Sequence, residues 1–263
     1  MIGIFDSGSG GLSVLREIVR LLPGENYVYF ADNAFCPYGD KTQDEIIQRS
    51  RTITRLLLGK GADVIVIACN TATAAAIATL RKEFPVKFIG MEPAVKPAAL
   101  SSKTGVVGVL ATAGTLKASK YLKTKGLYGD GTRIAEHVGQ GFVELVEKGI
   151  FNGPEAEETV RKSLQPLLDA GADRIVLGCT HYPFLRETIE SIAGPGIQII
   201  DPAPAVARHL VEVMDQEGLL NAKKQAPGVP EVELITSGSS ESARRILESP
   251  AMPRMKCRQE RTN

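Results

Sequence analysis

Apolar residues along this chain fall into short unbroken runs, separated by longer stretches in which they recur at helical spacing. That alternation predicts a layered α/β fold. The runs are Ile2 to Phe5, Tyr27 to Ala31, Val64 to Ala68, Val86 to Ile89, Gly105 to Leu110, Ile197 to Ile200 and Val232 to Ile235, and the mixed segment Arg133 to Val138 is a further strand candidate. Each is strand-sized, and the most continuously apolar ones suit a parallel strand buried between two helix layers. Amphipathic helices are expected from Leu12 to about Leu22, from Thr42 to Leu58, from Pro154 to Ala170 and from Ala203 to Gly218. The polar, Pro- and Gly-bearing stretch Asn221 to Pro230 predicts a surface connection. The basic, unpatterned end PRMKCRQERTN predicts a frayed tail, with its Cys257 outside any chemistry.

One segment occurs twice. Gly61 to Leu80 reads GADVIVIACNTATAAAIATL and Gly171 to His181 reads GADRIVLGCTH, with Cys69 and Cys179 each eight residues after the Gly of GAD. Downstream, Glu92-Pro93-Ala94 and Asp201-Pro202-Ala203 follow short strands and read as acidic caps with Pro at the first helical position. A repeated order of strand, thiol, helix, strand and cap implies an internal duplication offset by 110 residues, from Cys69 to Cys179. A lone small thiol at a strand end is ordinary packing. Two in matching positions, on halves that pack face to face, place two thiols across one cleft.

The first strand of each half supplies the contrast. Ile2 to Phe5 runs into Asp6-Ser7-Gly8-Ser9-Gly10-Gly11, a turn that lets backbone amides approach a phosphate or carboxylate. Its counterpart ends in Ala111-Thr112-Ala113-Gly114-Thr115, with Thr112 standing about where Asp6 stood. Asp6 gains weight because ligands of open α/β sheets bind outside the carboxyl ends of the strands. His181, two residues after Cys179, can hold or exchange a proton near neutral pH. Tyr38 and Gly39 lie in an irregular Pro/Gly loop whose Cys36 reads as packing, and Glu144 and Glu147 read by themselves as a solvated helix face.

Composition narrows the chemistry. A net charge of +1 over 263 residues argues against a large nucleic-acid surface, and no export signal or membrane span is visible, so a cytoplasmic protein with reduced thiols is expected. Four cysteines without a CxxC pair give neither a zinc signature nor a disulfide framework. Two facing thiols admit a redox disulfide, a metal site or proton transfer. Redox pairs usually sit close in sequence, and neither copy supplies a second metal ligand except His181, so no metal is expected. In the third option one thiolate removes a proton from carbon, the opposite thiol returns one, and the stereocentre inverts. The amino terminus of a helix after Cys69 would favour its thiolate, and Ser7, Asn70, Thr71 and Thr180 could grip a carboxylate. No pyridoxal-type Lys pattern or nucleotide fingerprint is evident, and no cofactor is expected.

DSGSGGLSVL, the CPYGDK loop, ACNTATA and GCTHYPFL, spread from Asp6 to Leu185, together resemble the glutamate racemases of the aspartate/glutamate racemase family. His rather than Glu after GCT favours glutamate over aspartate. The resemblance implies two Rossmann-like α/β domains in pseudo-two-fold symmetry, residues 1–95 plus 207–263 and residues 96–206, with the active site between them. It implies Cys69 and Cys179 as the acid/base thiols, acting on D- and L-glutamate respectively. Asp6 and His181 would assist them and touch substrate, and Glu147 would occupy the acidic position before the second Cys motif. Ser7, Tyr38, Gly39, Asn70, Thr71 and Thr180 would bind substrate, with Thr112 and Thr115 as additions. A homodimer supplying D-glutamate for peptidoglycan is also implied. One departure is that many relatives carry Cys-Pro where this chain has Gly139-Gln140-Gly141. The rivals are an aspartate or other dicarboxylate racemase or isomerase, and a non-catalytic dicarboxylate-binding protein.

Overall fold

The computed structural model describes residues 1–128, 131–220, 229–249 and 252–261; the connection expected from Asn221 to Pro230 lies, up to residue 228, outside the described residues. The first part of the chain forms β1 (Ile2–Asp6), α1 (Leu12–Leu21), β2 (Asn26–Ala31), α2 (Gln43–Gly59), β3 (Val64–Ile67), α3 (Asn70–Glu83) and β4 (Lys87–Gly90). The middle forms α4 (Val95–Ser101), β5 (Val106–Ala111), α5 (Ala113–Lys117), α6 (Ser119–Tyr128), β6 (Arg133–Val138), α7 (Phe142–Lys148) and α8 (Pro154–Asp169). There follow β7 (Arg174–Gly178), α9 (Arg186–Ala193), β8 (Gln198–Ile200), α10 (Ala203–Gln216), β9 (Glu231–Thr236), α11 (Glu241–Leu247) and β10 (Lys256–Arg261).

The strands form two parallel sheets, in the orders β10-β9-β2-β1-β3-β4 and β6-β5-β7-β8. Four strands of each sheet follow the same path, β2-β1-β3-β4 matching β6-β5-β7-β8, as the duplication requires. β1 pairs with β2 from Ile2↔Tyr27 to Asp6↔Ala31 and with β3 from Ile2↔Val64 to Phe5↔Ile67. β5 holds the same central place between β6 and β7. The chain reverses direction across the sheet between β1 and β3, and again between β5 and β7, which opens a crevice at the carboxyl ends of those strands. Asp6, Ser7 and Cys69 stand at the first crevice, Thr112 and Cys179 at the second.

Local chemistry sets the element ends. Thr42 and Glu45 close a reciprocal capping box at the start of α2, and Pro154 opens α8. Cys69 itself caps α3, its sulfur accepting the Ala72 N–H at 3.3 Å. The acidic-cap expectation divides: Asp201 accepts the Ala203 N–H at 2.9 Å, whereas α4 starts after Ala94 with no side-chain cap. The second thiol also differs from expectation, since Cys179 is followed by a short 3₁₀ turn at Tyr182–Leu185, and α9 begins only at Arg186. A helix amino terminus therefore abuts Cys69 alone.

The tail expected to fray is instead β10, paired in parallel with β9 from Lys256↔Glu231 onward. Its residues are exposed, and the Lys60 ammonium ties Glu260 at 2.7 Å to Glu233 at 2.6 Å. An edge strand is held by backbone bonds and needs no buried face, so hydropathy gave no sign of it. No helix among the described residues is long and apolar enough to cross a membrane.

Candidate active site

Ser7, Tyr38, Gly39, Cys69, Asn70, Thr71, Thr112, Cys179, Thr180 and His181 all line one small cavity between the two crevices. Its volume is about 10 Å³, room for a single water. Both cysteines are buried and unbridged. Asp6 lies just behind the wall, wholly buried, its carboxylate accepting the N–H groups of Gly11 at 2.9 Å and Gly8 at 3.3 Å. Thr180 reaches the other oxygen of Asp6 at 3.5 Å, and Ser13 donates to the Thr180 carbonyl at 2.9 Å, so the two crevices are tied together behind the cavity. Between the two halves Thr71 meets Thr112 at 3.0 Å and Thr115 at 3.3 Å.

The surroundings of the two sulfurs are unlike. Burial pushes the Cys69 thiol well above its ordinary range, and the neighbouring Asp6 carboxylate adds to the rise. The Ala72 N–H of α3 opposes both without overcoming them. The thiolate expected from the helix terminus is therefore not favoured in the closed cavity, where desolvation outweighs the Ala72 N–H. Asp6 is itself pushed up by burial, against the His181 charge and the Gly11 N–H. Cys69 directs its S–H toward Ser7 Oγ at 3.8 Å.

At Cys179 the partner is an imidazole, with Nδ1 of His181 3.7 Å from the sulfur and Nε2 2.8 Å from Glu147 Oε1. Burial alone would lower the His181 pKa. Cys179, Cys36 and Glu147 around the ring outweigh that and hold it well above 6.5. Burial would raise Glu147, but hydrogen bonds from His181, Ser242 and the Ser9 amide bring its carboxyl down to about 2. Glu147 is therefore no solvated helix residue: Oε1 accepts the Ser9 N–H at 2.8 Å, and Oε2 takes the hydroxyls of Ser9, at 3.2 Å, and Ser242.

The glycines of the first turn serve this contact. A Cβ at Gly10 would lie 2.3 Å from His181 Nδ1, and one at Gly8 would lie 2.5 Å from Glu147 Oε1. The turn read from sequence as a ligand cradle is bare because side chains from the other half fill the space above it.

Asn70 differs from every other polar residue on the cavity wall. It is buried, yet both its amide nitrogen and its oxygen lack a hydrogen-bond partner among the described residues. Tyr38 presents its ring to the cavity but donates its hydroxyl to Asp32 at 2.5 Å, and Arg49 clamps the same carboxylate at 2.6 Å.

The sequence profile of the Asp/Glu/Hydantoin racemase family matches residues 2–210. The chain belongs to this family. A glutamate racemase of Methylococcus capsulatus is 50% identical over 247 residues, 94% of this chain and 90% of its own length. The racemase fold also aligns closely with solved structures. Escherichia coli glutamate racemase, in complex with L-glutamate and the activator UDP-MurNAc-Ala, gives a TM-score of 0.85 at 29% identity, covering 99% of this chain and 97% of that one. Francisella tularensis glutamate racemase, in complex with D-glutamate, gives 0.83 at 27% identity, covering 100% and 97%.

Several parts of this candidate site had no signal in the sequence. Ser242 reaches Glu147 from α11, 95 residues further along the chain. Cys36, read as packing, stands beside His181 and Glu147. The Asp32–Tyr38–Arg49 knot joins β2, the following loop and α2.

Proposed function

We propose that this enzyme interconverts L- and D-glutamate without a cofactor, by a two-base mechanism in which Cys69 and Cys179 act on opposite faces of Cα. The unpartnered Asn70 amide carries the reading. A buried amide without partners costs free energy, on the order of 1–3 kcal/mol, unless a ligand completes it. An α-amino acid, with a carboxylate to accept and an ammonium to donate, completes both ends between the two thiols. Thr71, Thr112 and Thr180, with Ser7 and Gly39, supply further donors around the same space, and Tyr38 supplies a wall.

The resting protonation states suggest the order of events. Cys69, buried and facing a carboxylate, retains its proton, and His181, bound to Glu147, stands 3.7 Å from the Cys179 sulfur as its proton partner. L-glutamate then loses its α-proton to Cys179 and gains one from Cys69 on the opposite face. The S–H bond of Cys69 breaks as its C–H bond forms, leaving Cys69 as the thiolate that accepts from D-glutamate in the reverse direction. Cys179 becomes the thiolate by passing its S–H proton to Nδ1 of a neutral His181, which returns that proton when the thiol form is needed, while Asp6 serves Cys69. The cavity is too small for glutamate, so admission requires the Thr71–Thr112 contact to part and the two sheets to separate. The same reading makes the enzyme a cytoplasmic homodimer that supplies D-glutamate to peptidoglycan.

Incubation of either enantiomer in deuterated water tests the chemistry. The inverted product is expected to carry deuterium at Cα; an inverted product with protium there would remove the two-thiol mechanism. A parallel panel with aspartate separates glutamate from the related dicarboxylates, and turnover of aspartate but not glutamate would replace the substrate named here.

A further inference from the structure

Cys36, Glu147 and His181 bring a sulfur, a carboxylate oxygen and an imidazole nitrogen within 4.8 Å of one another. Racemisation as derived above needs no sulfur at position 36, and the loop that carries it is not repeated in the second half. The three atoms gather beside Gly8. A Cβ placed on Gly8 would lie 2.5 Å from Glu147 Oε1, 3.0 Å from Cys36 Sγ and 3.4 Å from His181 Nε2. Only glycine at position 8 leaves these three side chains room to gather against the first turn.

From this arrangement we infer a binding site for a soft transition-metal dication such as Zn²⁺, ligated by Cys36 Sγ, Glu147 Oε1 and His181 Nε2. The donor set is one that zinc accepts, with thiolate, imidazole and carboxylate bonds of roughly 2.3, 2.0 and 2.1 Å. Reaching these lengths requires the three groups to close on the ion by modest side-chain movement. Charge also fits, since one thiolate and one carboxylate neutralise a dication in a mostly buried place. The outer contacts that orient metal ligands are already in place: Ser9 and Ser242 hold Glu147 Oε2, and the far ring nitrogen of His181 faces Cys179. A path from solvent exists, because Cys36 and Glu147 also line a neighbouring cavity of about 490 Å³ bounded by Asn33, Ser242 and Arg245.

Binding releases two protons, one from the Cys36 thiol and one from Nε2 of His181, while Nδ1 keeps its own. The ion fixes the ring and takes Glu147 away from it, so His181 can no longer cycle a proton with Cys179. The site is therefore inhibitory: occupancy stops turnover. That consequence rests on the racemase reading; the binding does not.

Titration of the purified enzyme with Co²⁺ reads binding without activity, since cobalt bound to a thiolate gives a near-ultraviolet charge-transfer band and four-coordinate cobalt intense visible bands. Both are expected in the wild type, and Cys36→Ala is expected to lose the sulfur band and weaken binding by about tenfold or more. An unchanged spectrum in Cys36→Ala would place the metal on Cys69 and Cys179 and overturn the assignment. Zn²⁺ is expected to inhibit the wild type reversibly, with activity restored by a chelator, and to inhibit Cys36→Ala only at concentrations about tenfold higher. Equal sensitivity of the two proteins would overturn the inhibitory role. The far-ultraviolet circular dichroism and urea midpoint of Cys36→Ala, matched to wild type, serve as the folding control. A wild type that binds Co²⁺ at Cys36 but racemises nothing would sink the proposed function and leave the metal site standing.

Discussion

Cys69 and Cys179 end equivalent strands of matching sheets, yet each sulfur meets its own chemistry. The first caps a helix, beside a buried carboxylate that is shared with backbone amides. The second precedes a 3₁₀ turn and faces an imidazole clamped by a carboxylate. Duplication supplied the positions, and unlike side chains surround them. A symmetric scaffold carrying asymmetric companions suits a reaction whose two half-steps mirror each other while the enzyme at rest can hold only one proton arrangement.

Replacing the sulfurs tests the comparison most severely. Cys69→Ala and Cys179→Ala should each lower racemisation, followed by circular dichroism, by about a thousandfold or more. The residual chemistry should split: Cys69→Ala still exchanges the α-proton of L-glutamate with deuterated solvent without inverting it, and Cys179→Ala does so with D-glutamate. The opposite pattern would exchange the roles of the two thiols.

Next in size is the contribution of Glu147 to stability. Its carboxyl falls from an ordinary 4.5 to about 2 in the fold, which corresponds to about 3 kcal/mol. A lowered carboxyl stabilises above its unfolded value and loses that contribution as pH falls toward the folded value. Urea unfolding should therefore show wild type more stable than Glu147→Gln by about 3 kcal/mol at pH 7, with the gap closing below pH 4.5. A gap independent of pH would mean that the charge is not what holds this residue.

Glu147→Gln should also slow catalysis by about tenfold, through poorer orientation and charging of His181. Since the enantiomers have equal free energy, kcat/KM must fall equally in both directions. The asymmetry can appear only in kcat and KM taken separately, where the L-to-D direction should suffer more in kcat. The smallest effect belongs to Ser242→Ala, which removes one hydrogen bond to Glu147 and should cost about fivefold in rate or less. Full retention of activity would show that the remaining contacts, from Ser9, Asn33 and His181, suffice to position the carboxylate.

Much of this was legible from residues because parallel strands buried on both faces read as unbroken apolar runs and helices as periodic ones. The positions of Cys69, Cys179, Asp6 and His181 followed from the repeated segment and from the rule that open sheets bind at strand carboxyl ends. What could not be read depends on long-range placement. The pull of desolvation on Cys69 exceeds that of α3, a balance set by how completely the halves close over it. Short α5 and α6 left no clear periodicity, and β10 has a wholly polar sequence. Glu147 looks in sequence like any helix-surface carboxylate; only packing of α7 against the first turn and α11 withdraws it from water.

The absence of a side chain at Gly10 reaches further than local geometry. A methyl group there would displace an imidazole that belongs to the other copy of the repeat, so a change in one copy is felt as damage in its twin.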